Sequence, residues 1–414
     1  MYCSDKIVSV NKKLISKICI FCLSISLGLF VLNVNNCIYR VRVDGAIWDG
    51  VKLCGFTHSF RSFGKECDLM ESLSPPAKIL RLTCAKADHR HKMAVRMMEL
   101  RRLNELKVKM SRSYRNQSLA EKPSTDKLHG FVTIHHPCGR LGNTMFQIAS
   151  LLGIARTNNL IPVGFNVDGK NISVFEGVWF FDKAHMATVS VNNNFCVVKE
   201  DGVGTYAPKT GNLSANCKNS SASISGCLQS WKYFANSTLE VSLLLTFAAG
   251  IYRSAEVRLI QGYAQLEKHP ENLGRLLTIG VHVRRTDFTQ AGWNNYGLVP
   301  APEKYLLGTL SEVEAKYPSS LIFVIGDDYG YSKTLFNRTN IHVFPPSEFP
   351  EVDMAVMHMM DRLIISAGSF GWWCGYLSRA DEVYYYKDWP KIGSGLELLF
   401  NRKDYFPSHW TGRS

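Results

Sequence analysis

The sequence predicts an α/β fold: mostly parallel, doubly wound sheets forming two Rossmann-like lobes behind a single apolar N-terminal span. Three observations carry this expectation. Short β-branched runs (131–134, 162–165, 278–283, 321–325, 363–366, 383–386) alternate with helical periodicity (146–156, 240–266, 302–316, 353–361), the pattern of a parallel sheet with crossover helices. Glycine, hydroxyl and arginine residues follow the strand-like runs at 131, 278 and 363, and the carboxyl edge of such a sheet is where ligands bind. Residues 126–414 also exceed what one small hydrophobic core serves.

Taken in order, the chain opens with Lys6, Lys12, Lys13 and Lys17. An apolar stretch from Ile18 to about Val34 follows, interrupted only by Ser24, Ser26, Gly28 and Asn33. That is at the short end for crossing a bilayer. Lysines ahead of it favour a cytoplasmic tail at 1–17 and a signal-anchor at 18–34. A cleaved signal peptide is the alternative, although no small-x-small cleavage site follows. Short spans suit thin early-secretory membranes, so a single-pass Golgi membrane protein with a luminal body is expected. The sequons at Asn116, Asn171, Asn212, Asn219, Asn236 and Asn337 all fall after the span.

Cysteines agree with an oxidising compartment. Beyond the span lie Cys37, Cys54, Cys67, Cys84, Cys138, Cys196, Cys217, Cys227 and Cys374, most of them expected to be paired. Cys196 with Cys217, and a bridge among Cys54, Cys67 and Cys84, are candidates, while the full connectivity stays open. No CxxC or histidine-rich spacing supports a structural zinc. Residues 35–125 read as a stem and N-terminal luminal segment, with helical periodicity over Ala87–Met110 (Met93, Val95, Met97, Met98, Leu100, Leu103, Leu106) that fits a short coiled coil or, more safely, a packed or solvated helix. Lys122-Pro-Ser-Thr-Asp126 marks the boundary to a catalytic region at 126–414.

A net charge of +13 needs a reason. No nucleic-acid-binding motif is present and the basic residues concentrate in Lys86–Lys122, so nucleic acid is excluded as a partner. An anionic nucleotide-sugar and a membrane-proximal stem account for the balance.

The chemistry lies at three junctions. His282-Val-Arg-Arg-Thr-Asp287 follows a buried-strand pattern. An arginine there can clamp a diphosphate through two parallel hydrogen bonds, which lysine cannot match. A surface salt-bridge cluster is the plainer reading of the arginine pair by itself. Gly139-Arg-Leu-Gly-Asn143 joins a strand to the helical run 148–155, with glycines that let the backbone approach a ligand. The spacing matches neither GxGxxG nor the P-loop. Ser366-Ala-Gly-Ser369 runs into an aromatic helix start, and Asp353 precedes it at the head of another helical run. Asp353 can accept the N1–H and N2–H₂ edge of guanine or cap its helix.

These blocks, with Met145-Phe-Gln147, Gly226-Cys-Leu-Gln-Ser-Trp-Lys-Tyr-Phe234, Ile325-Gly-Asp-Asp328, Phe370-Gly-Trp-Trp373 and Tyr376-Leu377, resemble the galactoside α-1,2-fucosyltransferases of glycosyltransferase family 11. The likeness is to a divergent, nematode-like member and spans residues 130 to 380 in family order. Thr286, Thr144 and Cys374-Gly375 depart from the family pattern and leave acceptor and linkage open. The His-x-Arg-Arg-x-Asp block is shared with α-1,6-fucosyltransferases.

The resemblance implies a GT-B-type fold, an acceptor lobe at about 126–270 and a GDP-fucose lobe at about 271–414. It also implies inverting transfer of L-fucose from GDP-β-L-fucose to the 2-hydroxyl of a terminal galactose on a glycan. The alternatives are an α-1,6 or protein O-linked fucosyltransferase and an inactive membrane-anchored glycan-binding protein. Arg284 is then the group that stabilises the departing diphosphate, with donor contacts from Arg285, Asp353, Ser369, Phe370 and Gly371, and with His282 either bonding the same oxygens or the guanosine or serving as a buried structural histidine. Arg140 and Asn143 stand on the acceptor side, and Asn143 orients the acceptor hydroxyl or the fucose. Asp287 and Asp327 give structural support, since Arg285 is expected to pair with one of them, and Asp327-Asp328 to orient Arg285 or cap a helix. No cofactor and no divalent metal is expected, because arginine and amide groups carry the charge and no Asp-x-Asp triplet occurs. The general base and the oligomeric state, a homodimer included, stay open.

Overall fold

The computed structural model describes residues 40–43, 46–49, 75–120, 130–164, 174–177, 195–213, 217 and 221–414. The apolar stretch 18–34, Cys37, Cys54, Cys67, Asn171 and Asn219 lie outside them. Among the described residues no helix is long and apolar enough to cross a membrane.

The chain divides into two compact units, Met1–Arg96 with His269–Arg275, and Met97–Lys268 with Leu276–Ser414. In the first, strands β1 (Arg40–Val43) and β2 (Ala46–Asp49) pair antiparallel. Helix α1 (Pro75–Ala120) begins there and continues into the second unit. It extends well past the 87–110 expected from periodicity. From Met97 onward it buries Met97, Leu100, Asn104, Val108 and Ser111, a stripe at intervals of three and four. Arg101 grips Glu256 through Nε and a terminal nitrogen at 2.9–3.1 Å.

The second unit holds two parallel sheets. One has the order β4-β3-β6-β5, from β3 (Phe131–Ile134), β4 (Ile161–Pro162), β5 (Cys196–Lys199) and β6 (Ala222–Ser225). The other has the order β12-β11-β10-β7-β8-β9, from β7 (Leu277–Val283), β8 (Ser320–Gly326), β9 (Ile341–Val343), β10 (Arg362–Ile365), β11 (Glu382–Tyr386) and β12 (Thr411–Arg413). An α/β fold with parallel sheets, the expected class, is what the chain adopts. In β7, β8 and β10, Ile279, Val281, Ile322, Val324 and Ile364 are buried and pack on Tyr305, Leu306, Leu310 and Val313. A parallel sheet covered on both faces calls for such near-continuous apolar runs.

Four helices of this unit matter for the site: α2 (Leu141–Thr157), α3 (Ala249–Leu266), α4 (Pro350–His358) and α5 (Gly368–Leu377). The helical run expected over 240–266 is in fact broken. It forms a short helix at Thr238–Leu244 and then α3, with the buried pair Thr246-Phe247 between them. Pro350 fits the first turn of α4 because its missing N–H would have no intrahelical partner there.

An aromatic hub joins the helices that follow the two sheets. Phe146 of α2 lies 4.4 Å from Trp372 and 5.1 Å from Trp373 of α5, ring centre to ring centre. Phe234 and Tyr405 close the cluster at 5.9 Å from Trp373 and 5.8 Å from Phe146. Trp373 Nε1 donates to the Gly142 carbonyl at 2.8 Å, and Trp372 Nε1 to that of Tyr405 at 2.7 Å. The C-terminal segment reaches elements around the four-stranded sheet before returning as β12. The Tyr206 N–H donates to Asp404 Oδ2 at 3.0 Å, and Ser230 Oγ to the Asp404 carbonyl at 2.7 Å.

Disulfides join Cys196 to Cys217 and Cys138 to Cys227. The second ties the loop after β3 to the loop after β6. Cys374 departs from the expected pairing. It is a buried free thiol in α5, pushed well above the usual thiol range by burial and by the Asp353 charge. Of the sequons, Asn212, Asn236 and Asn337 are exposed, and Asn116 belongs to α1.

Candidate active site

The carboxyl edge of β7 turns sharply after Val283 and places two arginines in different settings. Arg284 donates from one terminal nitrogen to Asp327 and from the other to Asp287. Its ring neighbour is Phe288, 5.2 Å from the guanidinium carbon. Arg285 points elsewhere. Its Nε pairs with Asp328 Oδ2 at 3.2 Å, and its guanidinium lies 3.9 Å from the centre of the Tyr331 ring. The sequence points to Asp287 or Asp327 as the partner of this side chain. The structure supplies Asp328, the other member of the Asp327-Asp328 pair expected to orient this arginine, and only the Arg285 backbone N–H reaches Asp327, at 2.8 Å. Asp328 also caps the helix Tyr329–Leu335 by accepting from the Tyr331 N–H at 3.1 Å.

Asp327 is the hub of this edge. Besides Arg284 and the Arg285 N–H it accepts from Thr286 Oγ1 at 2.7 Å. Burial opposes its charge, but Thr286, Arg284 and the Arg285 N–H outweigh that and hold the carboxyl below the ordinary aspartate range. Thr286 departs from the family pattern, and its hydroxyl orients Asp327.

The turn after β3 brings the other half of the site. Gly142 sits where a Cβ would lie 2.7 Å from Ser369 Oγ and 2.8 Å from the Phe370 nitrogen, so only glycine lets α2 meet the start of α5. Asn143 Oδ1 accepts from Ser369 Oγ and, at 2.8 Å, from Gln229 Nε2. Gln147, fully buried, holds the surrounding loops. Its Nε2 donates to the carbonyls of His136 and Gly226 at 2.9 and 2.8 Å, and its Oε1 accepts from the Cys138 N–H at 3.0 Å. Arg140, with a side chain 77% exposed, pairs with Asp287, so Asp287 bridges an arginine from each sheet's edge.

At α5 the N-cap residue Ala367 offers no side-chain hydrogen bond. The first N–H groups of this helix, those of Ser369, Phe370 and Gly371 among them, suit an anionic ligand. The Phe370 ring stacks on His282, with centres 5.6 Å apart.

The structure thus gathers Arg140, Asn143, His282, Arg284, Asp287, Asp327, Ser369, Phe370 and Gly371, and turns Arg285 aside. Asp353 does not cap α4, whose N-cap is Phe349. Its Oδ1 pairs with Arg258 Nε at 2.9 Å without an aligned hydrogen bond, and its Oδ2 accepts from the Ser347 N–H at 3.2 Å. Burial lifts its carboxyl above the ordinary range against the pull of Arg258. Gln229, Ser366 and Arg258 have no role that sequence reasoning assigns. The first two lie inside quoted motifs, whereas Arg258 carries no local signal at all. Among the described residues no group of histidine, cysteine and carboxylate side chains is arranged to hold a metal.

Residues 265–412 match the model for glycosyl transferase family 11. A Caenorhabditis elegans protein with the provisional name galactoside 2-alpha-L-fucosyltransferase is 25% identical over 295 residues, covering 66% of this chain and 76% of its own. Galactoside alpha-(1,2)-fucosyltransferase 1 of Rattus norvegicus is 24% identical over 304 residues, covering 70% of this chain and 74% of its own. Among solved structures, POFUT1 in complex with GDP aligns with a TM-score of 0.41 at 12% identity, over 62% of this chain and 98% of that one. The arginine-bearing edge of β7, together with β8, β10 and α5, falls inside the residues that match the family 11 model.

Proposed function

We propose that the protein transfers L-fucose from GDP-β-L-fucose to the 2-hydroxyl of a terminal galactose, inverting the anomeric centre and using no divalent metal. The observation that carries this reading is the meeting of the Arg284 fork and the uncapped start of α5, both at the edge of the six-stranded sheet, with Asn143 from the turn after β3, which Ser369 contacts. The anomeric carbon loses its bond to the β-phosphate oxygen and gains one to the galactose oxygen, while the galactose hydroxyl gives up its proton to solvent or to the freed phosphate. Negative charge grows on GDP as that bond breaks, and a fixed guanidinium with nearby N–H donors lowers the barrier most when aimed at such charge. In this reading the diphosphate oxygens replace Asp287 or Asp327 on Arg284. Asn143 orients the acceptor hydroxyl; an amide cannot serve as its base.

The expected result with full-length protein, GDP-fucose and lactose-type acceptors is an α-1,2-linked product formed undiminished in EDTA. Linkage analysis checks it: an α-1,6 or peptide-linked product replaces the acceptor assignment, and loss of turnover in EDTA ends the metal-free reading. Support for a luminal body comes from the lysine-flanked apolar stretch and the exposed Asn212, Asn236 and Asn337. We expect a single-pass Golgi protein whose mobility shifts on treatment with a glycosidase. Unchanged mobility, with a C-terminal tag open to protease in intact microsomes, would reverse that topology.

A further inference from the structure

His282 and Ser366 stand side by side at the carboxyl ends of β7 and β10, each only 3% exposed. The Arg284 backbone N–H donates to Ser366 Oγ at 2.8 Å, so this oxygen acts as an acceptor. The other polar neighbour of Oγ is His282 Nδ1, at 3.1 Å. No other acceptor for the hydroxyl hydrogen is present among the described residues, and buried hydroxyls use their hydrogen when an acceptor is within reach. The hydrogen therefore goes to Nδ1, which must carry a lone pair. In a neutral imidazole the proton is then on Nε2.

The ring is neutral for a separate reason. Burial, reinforced by Arg284 and only partly offset by Asp327, pulls its pKa down to about 4. Its orientation is fixed as well. Phe370 stacks on one face, and a Cβ at Gly371 would come 2.5 Å from Nδ1. Only glycine leaves the ring its place.

We propose that Ser366 is a positioning residue that fixes His282 in the Nε2–H form, so that the imidazole offers the candidate site a neutral hydrogen-bond donor. The ligand this donor serves, an oxygen of the diphosphate, rests on the fucosyl-transfer reading; the tautomer does not. The same hydroxyl accepts from the Arg284 backbone, so one side chain sets both the histidine's proton and the start of the arginine turn.

The test is a long-range ¹H–¹⁵N spectrum of the full chain labelled at histidine, near neutral pH, with the His282 signals identified by their loss in His282→Gln. A pyridine-like Nδ1 and a pyrrole-like Nε2 are expected in the wild type. Ser366→Ala should lose that preference and lower kcat roughly tenfold, less than outright loss of a donor to developing charge would cost. Ser366→Thr, which keeps the hydroxyl, should restore both. A protonated Nδ1 in the wild type overturns the proposal whatever the kinetics. An unchanged tautomer in Ser366→Ala does so too. If the spectra are as expected and no fucosyl transfer is found, the role of Ser366 stands and the functional reading fails.

Discussion

Arg284→Lys should lower turnover about a hundred- to a thousandfold, a barrier increase of about 2.7–4 kcal/mol, with a much smaller effect on GDP affinity. The native guanidinium spans two carboxylates at once, donating to Asp327 from one terminal nitrogen and to Asp287 from the other. Lysine keeps the charge but concentrates it at one point, and it loses the planar fork that grips two oxygens of a departing diphosphate. Arg285→Lys is the informative partner. Its guanidinium lies over Tyr331 and pairs with Asp328, away from the Arg284 carboxylates. That substitution should reduce thermal stability and leave turnover of the folded fraction near normal. Steady-state kinetics with GDP titration of both variants decides the matter. Near-normal turnover in Arg284→Lys beside a folded but inactive Arg285→Lys would exchange the two roles, and normal turnover in both would remove the mechanism's centre.

Asp327→Asn should destabilise the fold by about 3 kcal/mol near neutral pH. Asp327 accepts from the Arg285 N–H, the Thr286 hydroxyl and Arg284 together. An amide has one acceptor oxygen in place of two and turns an NH₂ group toward donors. The pH dependence has a definite sign. Because its folded-state pKa lies below the ordinary aspartate value, Asp327 contributes stability that is complete above that value and lost as the pH falls through the depressed one. The gap between wild type and variant should therefore be full above about pH 5 and close on further acidification. Urea denaturation across that range measures it. A gap that is constant with pH would show that packing, and not the carboxylate's charge, accounts for the loss.

Much of the six-stranded sheet is legible in the sequence because β7, β8 and β10 are apolar runs buried on both faces. Within the two parallel sheets, the strands without a sequence signal, β5, β6, β9 and β12, read Cys-Val-Val-Lys, Ala-Ser-Ile-Ser, Ile-His-Val and Thr-Gly-Arg. Each is too short or too polar to show a period, and pairing with a neighbour is what makes it a strand. The site divides similarly. Its motifs are visible because each ends a strand, but their partners are not. Asn143 meets Ser369 across 226 positions and Arg140 meets Asp287 across 147, and no local pattern encodes such distances. Arg258 is the clearest case: nothing around it in sequence points to Asp353.

The aromatic hub bears on how the site can come apart. Asn143 and Ser369 are on helices whose roots share Phe146, Trp372 and Trp373, with ring centres 4.4–5.1 Å apart and an indole hydrogen bond to Gly142. Separating the two residues by rocking one sheet against the other would shear that packing and break the indole hydrogen bond to Gly142. Local opening that spares the hub is confined to side chains and connecting loops. In the language of amide exchange, the Asn143 turn and the start of α5 fall into one cooperative unit, protected together and released together.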